Sequence, residues 1–270
     1  MNVGMRSFYP IGVFGGWDPY PPARMRRLLT LPFALLVAGV ASAAPAGAAE
    51  IHTDRTCYYQ TPQTTVSLAG SGFSPGRPYS VALDGDPLGG GGQPVRPDGT
   101  LGGAFQPASL TGKHYEETHR LDVESDALSS STTFTVTRLF ATFSPASGDP
   151  AKLRVRFAVY GFGLDGSHPN VYVHYVAPGG GGGKARKSVR LGHVRGQCGS
   201  IHRTAQRRLF PFKLTRYGRW VLQFDARRSY TPGVAAGTNR SDFVFYSLGV
   251  CVRPPGSQPL RAGQKCPTYR

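Results

Sequence analysis

The sequence lacks the patterns that mark a coiled coil or a multi-spanning membrane protein: it has no long heptad series, no helix-rich run and no set of extended apolar spans. Its 36 glycines and 23 prolines among 270 residues stay below the fraction that suggests low-complexity disorder. Apolar residues make up 40% of the chain and include 15 Phe and 13 Tyr, which is enough to build buried cores. These features indicate a globular protein without long helices.

A leader precedes the part of the chain that is expected to fold. Residues 25–49 read MRRLLTLPFALLVAGVASAAPAGAA, with two arginines, an apolar stretch at 28–41 and an Ala-Ser-Ala cleavage site at 41–43. This order is typical of a secretory signal peptide, and the apolar stretch is too short for a comfortable membrane span. We therefore expect residues 1–49 to be a leader with translation starting at Met25, and no transmembrane span in the mature form.

Four cysteines remain in the exported chain: Cys57, Cys198, Cys251 and Cys266. An even count in an oxidising compartment favours two disulfides, and four cysteines allow three pairings. Because Cys251 ends a predicted strand and Cys198 lies in a predicted turn of the same domain, we favour their pairing, which leaves Cys57 for Cys266. A metal site is the competing idea, since two histidines lie close to Cys198, but the chain has no C-x-x-C pair. We expect disulfides and no bound metal.

Short alternating segments separated by turn residues begin at residue 50, with no helical stripe. Asp84-Gly85 and 97–100 (Pro-Asp-Gly-Thr) are turn signals. The inward positions of the first half are predicted to be Val66, Leu68, Tyr79, Val81, Leu83, His119, Leu121, Val123, Phe134 and Val136. Strands at these intervals indicate a β-sandwich.

The second half repeats the pattern. Lys152–Tyr160 alternates strictly, which places Arg154 and Arg156 on the outward side. Other strands are predicted at Phe140 and Phe143, at 171–176, around Val189 and Leu191, around Phe210 and Phe212, at 220–224 and at 243–250. About six strands are expected of a second sandwich.

The block Gly70-Ser71-Gly72-Phe73-Ser74-Pro75-Gly76, the later Asp-Gly and Pro-Asp-Gly-Thr turns, and a final Thr-Phe-Thr-Val-Thr strand resemble the bacterial immunoglobulin-like domains of secreted and surface proteins. This resemblance covers roughly residues 57–138, and its motifs mark turns and strand ends. Together with the strands predicted in the second half, it implies an all-β fold of two tandem immunoglobulin-like β-sandwich domains after the signal peptide. We place an acidic sandwich at 50–138, a basic sandwich at 139–254 and a Pro-rich basic tail at 255–270.

Charge is divided unevenly between the two halves. Residues 50–150 hold 6 Lys and Arg against 11 Asp and Glu, whereas residues 151–270 hold 21 against 3. The positive field of residues 151–270 attracts polyanions and needs no specific binding pocket to do so. The predicted binding residues are Arg207, Arg208, Arg216 and Arg219, and the expected partners are anionic envelope polymers or acidic glycans. The alternative is a solvated face that only keeps the protein soluble.

Catalytic patterns are missing from the sequence. It has no G-x-S-x-G elbow and no phosphate-binding glycine loop, and His114 and His119 are five residues apart, whereas a zinc helix needs a spacing of four. We therefore expect no catalytic residues and no cofactor. An enzyme ranks third among the hypotheses, and hydrolase activity that depends on Asp225 or His174 would support it.

The leading hypothesis is a secreted, non-enzymatic binding module of the cell envelope or extracellular space. The runner-up is a structural spacer or accessory domain of the envelope without a specific ligand. No signature of sequence-specific nucleic-acid binding is present. Salt-dependent retention on a polyanion separates the two hypotheses. The sequence leaves the ligand and the oligomeric state open.

Overall fold

Sixteen β-strands and no helix form the secondary structure of the residues that the computed structural model describes, which are 48–89, 92–107, 109–112, 114–164, 166–179, 184–233, 243–258, 260 and 264–267. The predicted leader lies outside these residues up to position 47, as do parts of two glycine runs and part of the tail. Within the described ranges, no helix has the length and apolar character needed to span a bilayer. The all-β class is confirmed.

The first sandwich has two sheets. Its strands are β1 (Glu50–Thr53), β2 (Cys57–Tyr59), β3 (Val66–Ser71), β4 (Pro78–Leu83), β5 (Asp86–Pro87), β6 (Gln93–Pro94), β7 (Leu101–Phe105), β8 (Glu116–Ser125) and β9 (Leu128–Thr137). One sheet has the order β1-β3-β7, and the other has the order β2-β9-β8-β4-β5, with β6 also paired to β4. Only β2 and β9 run parallel among these described pairs. In immunoglobulin lettering these sheets are A-B-E and A′-G-F-C-C′.

The second sandwich has the same plan. Its strands are β10 (Phe140–Ser144), β11 (Arg154–Tyr160), β12 (Asn170–Val176), β13 (Lys187–His193), β14 (Arg207–Arg208), β15 (Gly218–Asp225) and β16 (Phe245–Val252). The sheets have the orders β10-β11-β14 and β13-β12-β15-β16, which correspond to A-B-E and C′-C-F-G. The strand order therefore confirms the predicted immunoglobulin-like sandwich in both halves.

Each pair of sheets encloses its own apolar core, because inward and outward residues alternate along the strands. Val66 and Leu68 are buried on β3, and Leu121 and Val123 are buried on β8, as predicted from the alternation. The second core joins side chains of both sheets, including Val155, Phe157, Val173, Tyr175, Trp220, Leu222 and Phe224. Burial of these side chains supplies the main favourable free energy of folding.

The predicted strand around Phe210 and Phe212 is wrong. The strand here is the two-residue β14, and both aromatic residues lie in bends after it. Phe210 is buried, with its ring centroid 5.3 Å from that of Trp220 and 5.6 Å from that of Tyr175. Both rings belong to a loop that packs against the second core. Their spacing of two residues therefore results from burial of the loop and not from a strand.

The predicted disulfide pairing is also wrong. The bonds join Cys57 to Cys198 and Cys251 to Cys266, with sequence separations of 141 and 15. Cys198 does lie in a turn, but that turn approaches the first sandwich: its sulfur is 3.7 Å from the Thr135 carbonyl oxygen on β9, the neighbour of β2. Because Cys198 is bonded to Cys57, it has no thiolate to offer to a metal.

Aromatic and polar contacts surround the bond between the sandwiches. The Tyr115 ring stacks on Phe140 at 4.1 Å between centroids. The Thr135 hydroxyl donates to Gln197 Oε1 at 2.8 Å, and the Ser200 hydroxyl donates to the Glu116 carboxylate. These contacts hold β10 and the 196–200 turn against the first sandwich. The domain boundaries at 138/139 and 254/255 stay predictions.

Candidate functional site

Cationic side chains gather on the outer surface of the three-stranded sheet of the second sandwich. On β11, Val155, Phe157 and Val159 are 0% exposed and face the core. The side chains that alternate with them along β11 therefore face outward. This confirms the outward positions predicted for Arg154 and Arg156.

Strand pairing adds a second arginine directly beside the first. Arg154 is the register partner of Arg208, and Val155 is the partner of Arg207. Side chains opposite each other in antiparallel strands have Cβ atoms about 5 Å apart, and like charges at such positions destabilise a sheet. Arg208 shares the outward side of Arg154, whereas Arg207 shares the side of Val155.

An open pocket of about 340 Å³ continues the same surface. It is lined by Thr142, Ser144, Pro145, Arg156, Phe157, Ala158, His202, Arg203 and Gln206. Arg156 Nη1 donates to the Thr204 carbonyl oxygen at 3.3 Å, which uses one of the five N–H donors of the guanidinium. The Tyr160 and His202 rings form a T-shaped contact with their centroids 5.6 Å apart, which helps to place the imidazole.

We call the four arginines Arg154, Arg156, Arg203 and Arg208, with the neighbouring His202, the cationic face. Arginine is the side chain best suited to bind carboxylate, sulfate or phosphate groups, because its fork of N–H donors matches two oxygens at once. Burial, with the nearby Glu116 and Tyr115, raises the pKa of Tyr160, so this phenol stays neutral and adds no negative charge to the same side of β11. The surface therefore offers several donors for charge-assisted hydrogen bonds.

No described carboxylate forms an ion pair with an arginine of the cationic face. Ion pairs of the described residues join Asp54 to Arg55, Asp126 to Arg77 and Asp122 to Arg120, while Asp84 and Asp225 are hydrogen-bonded to His119 and His174. None includes a lysine or arginine beyond residue 150. Asp225 is fully buried and belongs to the opposite sheet. An anion from outside would therefore relieve the repulsion between Arg154 and Arg208.

The four arginines predicted from the sequence lie at separate places. Arg208 belongs to the cationic face. Arg207 Nη1 donates to the Arg190 carbonyl oxygen of β13 at 3.0 Å, which turns it towards the edge of the other sheet. Arg216 lies in the loop before β15, and its carbonyl oxygen accepts the Trp220 indole N–H at 3.2 Å.

Arg219 lies on the outer side of β15 in the four-stranded sheet. Its guanidinium covers Gly249 so closely that a Cβ there would lie 2.8 Å from Arg219 Nε. Arg154 and Arg156 belong to the cationic face but are not among the binding residues predicted from the sequence. The alternation along β11 predicts only that they point outward, and the register of β11 with β14 is needed to place Arg154 beside Arg208.

Comparisons with known proteins give little further information. No protein-family model matches the sequence, and no curated protein matches it significantly. Among solved structures, a tetra-tandem repeat in the extending region of a large adhesion protein matches at 12% identity and a TM-score of 0.25, covering 76% of this chain and 49% of that chain. The D0-D1 domain of intimin matches at 9% identity and a TM-score of 0.26, covering 76% of this chain and 98% of that chain. The chain thus spans about half the length of the first of these structures, and at such TM-scores the fold assignment depends on the strand order alone.

Proposed function

We propose that this protein is a secreted, non-enzymatic extracellular module whose second sandwich binds acidic polysaccharides of an envelope or surface through the cationic face. The observation that carries the proposal is the pair Arg154 and Arg208, which no described carboxylate pairs with and which lie directly opposite each other beside a pocket lined by two more arginines. A sheet that keeps like charges in register gains stability when an anion bridges them. An extended acidic chain supplies such groups at regular intervals.

The extracellular setting has independent support. Both disulfides are formed in the structure, and disulfides persist in oxidising compartments. The leader at residues 25–49 has the order of a secretory signal peptide. Together they support export before the module meets its ligand.

Two double variants with equal loss of charge test the proposed face. We expect R154A/R208A to elute from immobilised heparin at lower salt than the parent, with a slope of log affinity against log salt reduced by about 2, because two counterion-releasing contacts are lost. The matched control is R216A/R219A, which removes two exposed arginines away from the face. It should keep nearly the parental slope.

Folding is checked by the emission of Trp220, the only tryptophan beyond the leader, which is buried in the second core. If R154A/R208A eluted at the same salt concentration as the parent, the cationic face would be only a solvated surface. Equal losses in both double variants would mean that diffuse charge, and not this face, attracts the polymer. Competition with duplex DNA would compare the affinity of the protein for nucleic acid with its affinity for the acidic polysaccharide.

A structural spacer is the second candidate, and the covalent junction favours it. The bond from Cys57 to Cys198 and the stack of Tyr115 on Phe140 hold the two sandwiches together, as a rigid spacer requires. This candidate predicts no salt-dependent retention beyond that of a protein of equal charge. The heparin experiment therefore decides between the two.

A further inference from the structure

A row of polar residues crosses the outer side of the four-stranded sheet, on the opposite side of the second sandwich from the cationic face. In register across β13, β12, β15 and β16, the row reads Ser188, His174, Gln223 and Ser247. His174 and Gln223 are buried, although they lie outside the apolar core, whereas Ser188 and Ser247 at the two ends are exposed.

Ser188, His174 and Asp225 form a continuous hydrogen-bonded chain. Ser188 Oγ lies 2.7 Å from His174 Nδ1, and His174 Nε2 lies 3.1 Å from Asp225 Oδ1. A carboxylate only accepts hydrogen bonds, so Nε2 carries the proton that it donates to Asp225. In the neutral ring Nδ1 then has a lone pair, and the Ser188 hydroxyl donates to it.

The third member of this chain is held firmly. Asp225 Oδ2 accepts from Gln223 Nε2 at 2.7 Å, and Oδ1 accepts from the Arg227 backbone N–H at 2.8 Å. Gln223 Nε2 also donates to the Thr231 carbonyl oxygen at 2.7 Å. The carboxylate therefore fixes the tautomer and the orientation of the imidazole, as a base needs if it is to take a proton from a hydroxyl.

Burial divides the roles of the three residues. His174 and Asp225 are both 0% exposed, and the centroid of the Tyr230 ring lies 5.6 Å from that of the His174 imidazole. Ser188 is exposed on the edge strand β13. The base and its orienting group are thus shielded from water, where their electrostatic coupling is strong, while the hydroxyl is open to a reagent.

We propose that Ser188 is an activated nucleophile that accepts acyl groups from carboxylic esters, with His174 as its general base and Asp225 as the positioning residue. The Ser188 oxygen attacks the ester carbonyl carbon and forms a new C–O bond, while its proton passes to His174 Nδ1. The C–O bond to the alcohol then breaks, and the alcohol leaves with the proton from His174. The products are an acyl ester on Ser188 and the free alcohol.

This site is independent of the cationic face, because it uses the opposite sheet and no residue of that face. The step is a single acylation of the protein by the ester and ends on Ser188, so it adds a covalent modification to a protein whose proposed role is non-enzymatic binding. The sequence placed His174 and Asp225 under the enzyme hypothesis, and the structure adds Ser188 to them.

The mature full chain with p-nitrophenyl acetate as the probe tests the proposal. We expect stoichiometric release of p-nitrophenol and an acetyl group on the peptide that contains Ser188, formed about 100-fold faster than acetylation of Ser247, because general-base catalysis contributes at least this factor. S188A should lose the burst. S247A is the matched control, since Ser247 is an exposed serine at the other end of the same row, and it should keep the burst.

D225N separates positioning from folding. If the Trp220 emission and the melting temperature of D225N stay near those of the parent, acetylation of Ser188 should still slow by at least tenfold. If D225N unfolds, the comparison of S188A with S247A decides alone, because both changes are on exposed residues. Acetylation of Ser188 at the rate of Ser247, or a full burst from S188A, would overturn the proposal and leave the three residues as a structural network.

Discussion

Asp84 shows at the scale of one residue how a turn and a buried histidine depend on a single carboxylate. It adopts a left-handed backbone conformation, with φ of 51°, before Gly85. One carboxylate oxygen accepts from the Arg120 backbone N–H at 2.8 Å, and the other lies 2.7 Å from Nδ1 of the buried His119. Partial burial raises the pKa of Asp84, but the hydrogen bonds from His119 and Arg120 together lower it by more than burial raises it. The pKa of Asp84 is therefore below its usual value.

We expect D84N to lower the free energy of unfolding by about 1 kcal/mol at neutral pH, which is below the usual range for a hydrogen bond to a charged group because the Asp84 side chain is 46% exposed. A lowered folded-state pKa means that this stability is present above the ordinary aspartate pKa, about 3.9, and is lost as pH falls through the folded value. Urea unfolding of parent and variant across the acidic range measures both effects.

D86N is the control for D84N, since Asp86 is exposed on the neighbouring strand β5. It should keep the parental stability and acid dependence. An acid profile of D84N equal to that of the parent would assign the acid sensitivity to other groups.

At the scale of one element, the turn before β7 depends on Gly99. Its φ is +77°, and a Cβ at this position would lie 3.0 Å from the Phe73 carbonyl oxygen. Its own carbonyl oxygen accepts from the Phe73 backbone N–H at 3.2 Å, which joins the turn to a core residue. We expect G99A to cost about 2 kcal/mol, the range for a non-glycine residue forced into this conformation and a close contact. Denaturant midpoints from circular dichroism measure the cost.

The matched control for G99A lies a few residues further on, in β7. Gly103 has an ordinary strand backbone, and a Cβ there would meet no atom within 4 Å. G103A should therefore change the free energy of unfolding by no more than about 0.5 kcal/mol. Equal costs for the two variants would show that glycine content, and not the turn, sets the effect.

At the scale of the whole molecule, the two disulfides differ in the length of chain that they close. The first spans 141 positions and the second spans 15. In the chain-entropy account the longer loop restricts the unfolded state more, and the difference is about 2 kcal/mol. We expect C57S/C198S to lose that much more stability than C251S/C266S in denaturant titrations. A larger loss from the second pair would mean that local packing of the tail outweighs loop length.

Alternation along a single strand is sufficient to predict the inward and outward sides of β3, β8 and β11, although the same spacing wrongly predicts a strand around Phe210 and Phe212. The inward faces around Val66 and Leu121 and the outward position of Arg154 follow from period-two spacing. The pairing of Cys57 with Cys198 did not, because it depends on a turn of one sandwich meeting a strand of the other. The pairing of Arg154 with Arg208 and the link from Ser188 to His174 likewise depend on strand register, which single-strand patterns leave undetermined.

The bond from Cys57 to Cys198 also determines how a pulling force passes through the chain. Tension applied between residue 48 and the chain beyond Cys198 has a covalent path that enters at β1, crosses the sulfur–sulfur link and bypasses the backbone of every residue from 58 to 197. At about 3.5 Å per residue, the bypassed 141-position segment would otherwise release roughly 490 Å of chain. While the bond is intact, the backbone from residue 58 to residue 197 cannot be drawn out between these two points, so the extension of this segment under tension is limited by a covalent bond and not by the pairing of its strands.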